Sequence, residues 1–372
     1  MDLSDNTLER PAWLESVCAL KPSLRDTLAC NSGWPSCSPV NFTIRLADYL
    51  REEFRKHSLD PVLIIDAAKR TSASKGAQVF NEIWERIEDE ACRVVFGSNL
   101  IEDAGANLDY TIDLCRRVFR GERVDATTID ERGLECPKLL QDFKQRGQQM
   151  DRPAAIRIRR EIIQHAQALS WAIDNTVLRE MPWTEDTVKT IHNILYAGMA
   201  DNEVVPGQYR GADHAIAAKY VDPKTGKEKT TRFIHPRAVP TYMASWVEDL
   251  NMDIHRAKNG MPFDPYDLAA KYYHHFINIH PFGDGNGRTS RIILNCLIMK
   301  FTGHLIPIGE DDKAKDEFLG IAVRGAKKYH EEDGEVHLNE QKGHKEMARL
   351  IVRRSVEPLA GTWTWVKKHT PI

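Results

Sequence analysis

The sequence predicts an all-α fold with a single β-hairpin. Along most of the chain, apolar residues recur at the three- and four-residue spacing of one helix face, as they do over 156–172. Helix start signals precede several such stretches, with Asp60 before Pro61 and Thr184 before an acidic first turn. A strand–turn–strand pattern is clear at 216–234.

The amino-terminal part is expected to hold an arm followed by helices. Residues 1–40 mix Ser, Asn, Pro, Gly and Cys around scattered Trp and Leu, which is typical of a loosely ordered arm with one short helix. One of the later helices should end before Gly105, since glycine commonly follows the last helical residue. The helices predicted here cover 43–58, 60–70, 77–101, 109–119 and 137–149.

The rest of the chain continues the helical pattern around the hairpin. The hairpin strands flank a turn at 222–226, which reads DPKTG. Pro281 should end the helix before it, because proline disfavours helical geometry in the preceding residue. The helices predicted here cover 153–180, 184–195, 238–256, 264–279, a stretch from the glycine-rich turn at 283–287 through Met299, 313–329 and 342–355.

Composition narrows the functional class. The 372 residues carry 51 Lys+Arg against 54 Asp+Glu, a net charge of −3. Such a chain lacks the positive field that attracts nucleic acid or an anionic membrane, so we expect neither as a partner. The 7 cysteines form no CxxC pair, which indicates free thiols in a reducing compartment. With no signal peptide and no long apolar stretch, the expectation is a cytoplasmic protein, with the nucleus as the alternative.

The chemistry-bearing stretch is 280–291, which reads HPFGDGNGRTSR. Its three glycines allow backbone geometry that other residues avoid, and a helix opens directly after them. The free N–H groups of such a helix start, together with the helix dipole, favour an anion. Arg288 and Arg291 are three residues apart, so they share a helix face and both can bind phosphate oxygens.

Two further side chains give this stretch its chemistry. Asp284 lies at the mouth of the anion site, where a carboxylate suits Mg²⁺ shared with a phosphate. His280 has an ordinary pKa near ~6.5, which suits a general base. The segment lacks the GK[ST] of a Walker A loop and the GxGxxG spacing of a dinucleotide fingerprint. These residues therefore predict a polyphosphate site with Mg²⁺ and a base that activates a nucleophile.

Residues 280–291 match the Fic-domain signature HPFx[D/E]GNGRxxR at every fixed position, and the chain is similar to that family over about 155–330. Within this stretch, 206–210 resembles the family's G-x-[YF]-R segment and 233–236 resembles the end of its flap hairpin. The resemblance implies a protein adenylyltransferase, or AMPylator, that moves AMP from the co-substrate ATP to a Ser, Thr or Tyr hydroxyl of a target protein. Mg²⁺ would be its cofactor.

The resemblance also implies roles for the residues of the signature. His280 would deprotonate the target hydroxyl, Asp284 would hold Mg²⁺, and Phe282 would anchor the loop. Arg288 would neutralise the leaving phosphates, and Arg291 would fix the γ-phosphate. The residues expected to bind the nucleotide are Gly283, Gly285, Asn286, Gly287, Arg288 and Arg291.

An upstream segment, 98–103, reads SNLIED and resembles the motif [S/T]xxxE[G/N] of the class with an N-terminal inhibitory helix. By that resemblance Ser98 and Glu102 are regulatory, and Glu102 pairs with Arg291 and blocks the γ-phosphate position. Asp103 departs from the usual Gly or Asn. In that class the same glutamate can orient a water that removes AMP, so Glu102 is also a candidate catalytic residue.

The resemblance further divides the chain and assigns the flap, where Phe233 and Ile234 would align a target segment by strand addition. The parts expected are an arm at 1–40, a helical regulatory region at 41–152 with the inhibitory helix at about 84–103, the catalytic core at 153–330, and a helical extension at 331–372.

Several alternatives stay open at this point. The same site could act as a deAMPylase, or the chain could be a non-catalytic nucleotide-binding interaction module. Transfer of phosphate or phosphocholine is a further option, because the signature positions phosphates without naming the leaving group. A homodimer is also open. His274 and His275 are interpreted as structural or surface residues, since they lack metal-ligand spacing.

Overall fold

The computed structural model describes residues 23–30, 42–126, 139, 143–144, 147, 152–199, 204–211, 213–221, 228–333, 335–336 and 340–370. This part of the chain is mostly helical, as predicted. Most of the predicted helix at 137–149 and most of the predicted arm at 1–40 lie outside the described residues, although 139, 143 and 144 are helical.

The described helices and strands follow one another without a second sheet among them. The π-helical segment Ile173–Leu178 continues one helix, and 3₁₀ turns cover Gly76–Gln78 and Pro236–Ala238. In chain order the elements are α1 (Leu24–Cys30), α2 (Asp48–Arg55), α3 (Pro61–Lys75), α4 (Phe80–Ile101), α5 (Leu108–Phe119), α6 (Arg152–Ala172), α7 (Glu185–Tyr196), β1 (Ala217–Val221), β2 (Glu228–Arg232), α8 (Val239–Lys258), α9 (Pro265–Ile279), α10 (Asn286–Thr302), α11 (Asp312–Glu332) and α12 (Lys345–His369).

Helix starts follow the predicted local signals. The Asp60 carboxylate accepts hydrogen bonds from the amides of Val62 and Leu63 at 3.0 and 3.1 Å, which caps α3. The Thr184 hydroxyl accepts from the amide of Thr187 at 3.0 Å and caps α7. Each side chain satisfies N–H groups that have no partner inside the helix, so both predicted caps are confirmed.

The core is one continuous cluster of buried apolar side chains that extends from α1 to α12. At its centre α9 and α10 pack along each other, with α6, α7, α8 and α12 around them. Helix α4 packs on α5, α6, α10 and α11, so its carboxyl end lies close to the start of α10. Among the described helices, none is both long enough and apolar enough to cross a bilayer.

Helix α4 approaches the chain after α10 unusually closely. A Cβ atom at Gly97 would overlap the carbonyl oxygen of Ile308, so glycine is required for this contact. Two turns earlier in α4, the buried Glu90 carboxylate accepts a hydrogen bond from the Leu305 amide at 2.8 Å. These contacts fix the height of α4 against the core.

The sheet is the hairpin expected from the sequence at 216–234. Strand β1 pairs antiparallel with β2, with Ala217 opposite Arg232 and Val221 opposite Glu228. The predicted turn at 222–226 lies outside the described residues. Beyond β2, the amide of Phe233 still donates to the carbonyl of Ile216 at 3.2 Å.

The last helix corrects a prediction. Sequence reasoning ended it near 355, whereas α12 runs to His369 and contains Pro358. Leu359, Trp365 and Val366 are buried in the core beyond that proline. Their packing stabilises helix after a residue that normally interrupts it.

Candidate active site

His280 is held at the end of α9 in left-handed backbone geometry, with φ 53° and ψ 61°. Its amide donates to the carbonyl of Phe276 at 3.0 Å and closes the helix. Pro281 follows and prevents continuation, as predicted. The left-handed residue turns the chain out of the helix, which places the imidazole at the helix end and directly before the glycine-rich loop.

The surroundings of the imidazole define its chemical state. Nδ1 of His280 lies 3.1 Å from the carbonyl oxygen of Ile277, so Nδ1 donates a proton and Nε2 is the proton acceptor. The Phe233 ring stacks on it, with ring centroids 3.8 Å apart and planes 11° apart. Burial lowers the pKa of His280 to about 4, so the ring is neutral at pH 7.

Phe282 anchors the loop, as the sequence resemblance implied. Its side chain is fully buried and stacks on the His192 ring of α7, with centroids 3.8 Å and planes 6° apart. His192 Nδ1 accepts from the Gly207 amide at 3.0 Å, so its Nε2 donates to the Asp284 carbonyl, also at 3.0 Å. Burial lowers the pKa of His192 to about 4, so the imidazole that connects Gly207 to Asp284 is neutral at pH 7. Sequence reasoning had not identified His192.

The side chain of Asn286 faces the loop interior, and its place in the nucleotide-binding turn stays a prediction. Its Oδ1 accepts from the Phe282 amide at 2.9 Å, and its Nδ2 donates to the Phe282 carbonyl at 3.0 Å. The residue is buried and both side-chain ends are occupied. Asn286 therefore fixes the loop, and only its backbone N–H is oriented with the helix start.

Two glycines let neighbouring side chains pack closely against the start of α10. Gly285 has φ +73°, and a Cβ there would overlap the ring of Tyr196. A Cβ at Gly287 would overlap the carboxylate of Glu102. Glycine at both positions therefore allows Tyr196 and Glu102 to lie directly against the start of the helix. Gly283 lies in the same loop, partly exposed.

Arg288 is buried next to the first-turn amides of α10, with 6% of its surface exposed. Its Nη2 donates to the Tyr196 hydroxyl, but its Nε and Nη1 have no hydrogen-bond partner. Unpaired donors of a buried guanidinium are costly, because the group loses water without gaining an acceptor. The arrangement suits an anion that supplies oxygen acceptors to both nitrogens.

Asp284 is exposed at the mouth of the loop and fits a metal-binding role. One carboxylate oxygen accepts from the Gly285 amide at 2.6 Å. Partial burial raises the pKa of Asp284, but hydrogen bonds from Tyr196 and Gly285 and the Arg288 charge outweigh it and lower the pKa. No cluster of three or more His, Cys, Asp or Glu side chains suited to a metal occurs in the described part of the chain. One ionised carboxylate fits Mg²⁺, which takes most of its ligands from phosphates and water.

The guanidinium of Arg291 hydrogen-bonds to residues at the end of α4. Its Nε donates to the Ser98 hydroxyl at 2.7 Å, and its Nη2 donates to the Ser98 carbonyl at 2.9 Å. Nη2 also contacts Oε1 of Glu102 at 2.6 Å; the Arg291 side chain is 3% exposed and the Glu102 side chain 33%. The structure thus brings together the pair that the sequence resemblance implied.

The departure at Asp103 has a structural explanation. Asp103 has φ +53°, a left-handed geometry in which glycine and asparagine are favoured and aspartate is tolerated. Its carboxylate pairs with Lys315 of α11 at 2.5 Å. Aspartate therefore fits the turn that ends α4, and it adds an exposed ion pair to α11.

Arg210 ties the hairpin to the catalytic loop, a role that sequence reasoning did not assign. Its guanidinium donates to the carbonyls of His280 at 2.8 Å, His214 at 3.0 Å, Ile279 at 3.4 Å, and Ile234. Ile234 is buried, so its side chain lies inward, and alignment of a target by strand addition at this segment stays a prediction. Phe233 also faces inward, onto His280.

The fold and the site define a helical protein with a histidine set against an arginine-bearing, glycine-rich helix start. Residues 182–298 match the sequence model of the Fic/DOC family. The chain is similar to that family over this segment, about a third of its length, which holds His280, the glycine-rich loop, Arg288 and Arg291.

Named relatives and a solved structure agree with this placement. "Protein adenylyltransferase fic-1" of Caenorhabditis briggsae is 32% identical over 90 residues, 23% of this chain and 18% of that protein. "Uridine 5'-monophosphate transferase" of Xanthomonas campestris pv. campestris is 25% identical over 160 residues, 41% of this chain and 26% of that protein. The crystal structure of a Fic domain containing signaling protein from Bacteroides thetaiotaomicron superposes with a TM-score of 0.55 at 18% identity, covering 87% of this chain and 98% of that one. At this identity it shows a shared fold.

Proposed function

We propose that the chain is a Fic-type protein adenylyltransferase that moves AMP from ATP to a Ser, Thr or Tyr hydroxyl of a target protein. The observation that supports this best is a juxtaposition across one short loop. His280 ends α9 with Nε2 as its proton acceptor, and Arg288 begins α10 with two buried, unpaired N–H donors. A base next to an anion site is the arrangement that transfer from the phosphoanhydride of a nucleotide needs.

In the proposed reaction, Nε2 of His280 takes the hydroxyl proton as the hydroxyl oxygen attacks the α-phosphorus of ATP. The bond between the α-phosphorus and the oxygen bridging to the β-phosphate breaks, and pyrophosphate leaves. AMP stays on the target as a phosphodiester. Arg288 and the first-turn amides of α10 stabilise charge on the phosphate oxygens. Asp284 would hold Mg²⁺, which when bound neutralises phosphate charge and orients the leaving group.

We further propose that Glu102 inhibits this reaction. With Nε and Nη2 of Arg291 given to Ser98 and Glu102, the guanidinium has little capacity left for a γ-phosphate. A buried guanidinium that loses its carboxylate partner requires another anion. Displacement of the last turn of α4 would therefore favour ATP binding at Arg291.

The identity of the transferred group is the first thing to test. The names of the relatives differ between adenylyl and uridylyl transfer, so the base has to be determined directly. We would incubate the Glu102→Gly protein with Mg²⁺ and, separately, ATP, UTP, GTP and CTP, and measure the intact mass. A gain of one AMP with ATP is the expected result.

The matched control is Glu102→Gly combined with His280→Ala, which should bind ATP and gain no mass. A gain of one UMP with UTP and none with ATP would contradict AMP as the group. ATP binding by calorimetry with no nucleotide consumed would contradict an enzyme and support a binding module. Unchanged labelling in the His280→Ala double variant would contradict the assignment of the base.

A further inference from the structure

Phe233 follows the hairpin directly, and its ring lies flat on the imidazole of His280. The ring centroids are 3.8 Å apart and the planes are 11° apart. Phe233 is partly exposed, and the described members of the continuous apolar core do not include it. Burial in that core therefore does not account for the position of this ring.

The imidazole of His280 is held by one hydrogen bond and one stack. Its Nδ1 lies 3.1 Å from the Ile277 carbonyl oxygen, which fixes one edge of the ring. A hydrogen bond at a single atom leaves the plane of the ring free to tilt about that atom. The face of Phe233 removes this freedom, because a tilt would either overlap the two rings or lose their contact. Together the two contacts set the direction in which Nε2 points.

The backbones of the two stacked residues share one support. The guanidinium of Arg210 donates to the carbonyl of His280 at 2.8 Å and to the carbonyl of Ile234, the residue after Phe233. On its other side, the amide of Phe233 donates to the Ile216 carbonyl at 3.2 Å and extends the pairing of the hairpin. The ring is thus presented by backbone that is fixed on both sides and joined to the backbone of the base.

The direction of Nε2 matters for the proposed reaction. A base accepts a proton only from a hydroxyl that lies within hydrogen-bond distance of its lone pair. The lone pair of Nε2 lies in the ring plane, so a tilt of the imidazole moves it away from the hydroxyl. Misplacement of a reacting group by about 1 Å can cost about a hundredfold in rate.

We propose that Phe233 is a positioning residue for the base: it holds the plane of the His280 imidazole so that Nε2 points at the attacking hydroxyl. The role in catalysis rests on the proposed function, whereas the restraint on the imidazole does not. The hairpin would then act on the base itself, independently of any contact with the target protein.

The first test is NMR on the full chain without nucleotide, so it is independent of transfer. The imidazole Cε1–H resonance of His280 is assigned by its loss in His280→Ala. An aromatic ring stacked on such a proton shifts it upfield. Phe233→Leu, which keeps an apolar side chain and removes the ring, should therefore move the resonance downfield, and Phe233→Tyr should leave it nearly in place.

The second test compares self-labelling with ATP and Mg²⁺ in the Glu102→Gly background. Phe233→Leu should lower the maximal rate about tenfold to a hundredfold. It should change the half-saturating ATP concentration by less than about twofold, because the proposed nucleotide contacts lie on α10 and its loop. Phe233→Tyr should recover the rate to within about threefold, since it restores the ring. Phe233→Met repeats both tests if the leucine variant folds poorly.

Phe263→Leu is the matched control. Phe263 is also partly exposed, but it lies at the opposite end of α9, where its ring packs edge to face on Phe301 with centroids 4.7 Å apart. This variant should lose stability in a urea titration and keep both the His280 resonance and the labelling rate. It separates loss of an aromatic ring in general from loss of the ring on the base.

An unchanged His280 resonance in Phe233→Leu overturns the inference, as does an unchanged maximal rate. A lower rate that Phe233→Tyr does not recover also overturns it, because the ring is then not the cause. A lower rate together with an unchanged resonance overturns it in favour of a hairpin that only contacts the target. Loss of the ring shift in Phe233→Leu, without labelling by the parent Glu102→Gly protein, supports the restraint on His280 and contradicts transfer.

Discussion

Replacing Gly97 by alanine should loosen the contact between α4 and Arg291. The added methyl group would overlap the Ile308 carbonyl oxygen and lie 3.2 Å from the backbone carbon of Gly309. Both neighbours are backbone, so α4 has to move outward. Ser98 follows directly and Glu102 lies just over one turn later, so both would move away from Arg291.

The magnitude follows from the geometry. The Nη2 to Glu102 distance is 2.6 Å, and an outward shift of about 1 Å takes it past the ~3.2 Å limit of a good hydrogen bond. A hydrogen bond between charged groups contributes about 1.5–3 kcal/mol, and the exposure of Glu102 argues for the low end. Because about 1.4 kcal/mol is a tenfold change in an equilibrium, we expect about tenfold tighter ATP binding and faster self-labelling.

The assay compares ATP affinity by calorimetry and the initial rate of AMP labelling in wild type, Gly97→Ala and Glu102→Gly. Gly361→Ala is the matched control, because Gly361 lies in α12 with nothing within 4 Å of an added Cβ. That control should gain about 0.5–1 kcal/mol of stability and show unchanged labelling. Ser98→Ala, which removes one contact without overlap, covers the case in which Gly97→Ala folds poorly. Wild-type ATP affinity in both Gly97→Ala and Ser98→Ala would refute the reasoning.

Three further outcomes are expected. Labelling by Glu102→Gly should be flat from pH 8 down to about 5 and fall as the pH drops through about 4, because a base with a lowered pKa is active above it; a fall centred near pH 6.5 in a rate profile would contradict the burial of His280. Arg210→Lys should lower kcat with little change in KM for ATP and reduce stability by about 2 kcal/mol in a urea titration, since one ammonium cannot replace a guanidinium that donates to four carbonyls; wild-type kcat would contradict this. Tyr196→Phe should raise the Mg²⁺ concentration for half-maximal labelling several-fold, because the hydroxyl whose hydrogen bond orients the Asp284 carboxylate is lost; an unchanged Mg²⁺ titration would contradict it.

Much of the fold and of the candidate site could be predicted from local sequence. Asp60 and Thr184 act within three residues of themselves, so their capping was readable from the chain alone. The glycine-rich turn and its arginines are also contiguous. The pairing of Glu102 with Arg291 spans the sequence, and it was predicted only through resemblance to a motif.

Contacts between distant segments could not be read from sequence patterns. Arg210 reaches the carbonyl of His280 70 positions away, and no local pattern indicates such a clamp. His192 occupies an ordinary helix position, and its stacking on Phe282 follows only from how α7 packs on the loop. Asn286 was predicted as part of the nucleotide-binding turn, but the hydrogen bonds of its side-chain amide to the Phe282 backbone were not readable from the sequence. Local sequence identifies candidate site residues, whereas tertiary packing determines how their side chains are oriented.

The residues that hold Arg291 are the final turn of a helix whose earlier turns are part of the continuous core. Such an element cannot come off as a separate body, because Ile87, Ala91 and Val95 would lose their burial with it. Only its end can open, which costs far less than unfolding the domain. Under the proposed inhibition, fraying of this one turn would be enough to free Arg291, so temperature, salt at the Asp103–Lys315 pair, or a partner touching that turn would each change the activity by degrees. The proposed control is therefore graded, and it involves only a small movement of the last turn of α4.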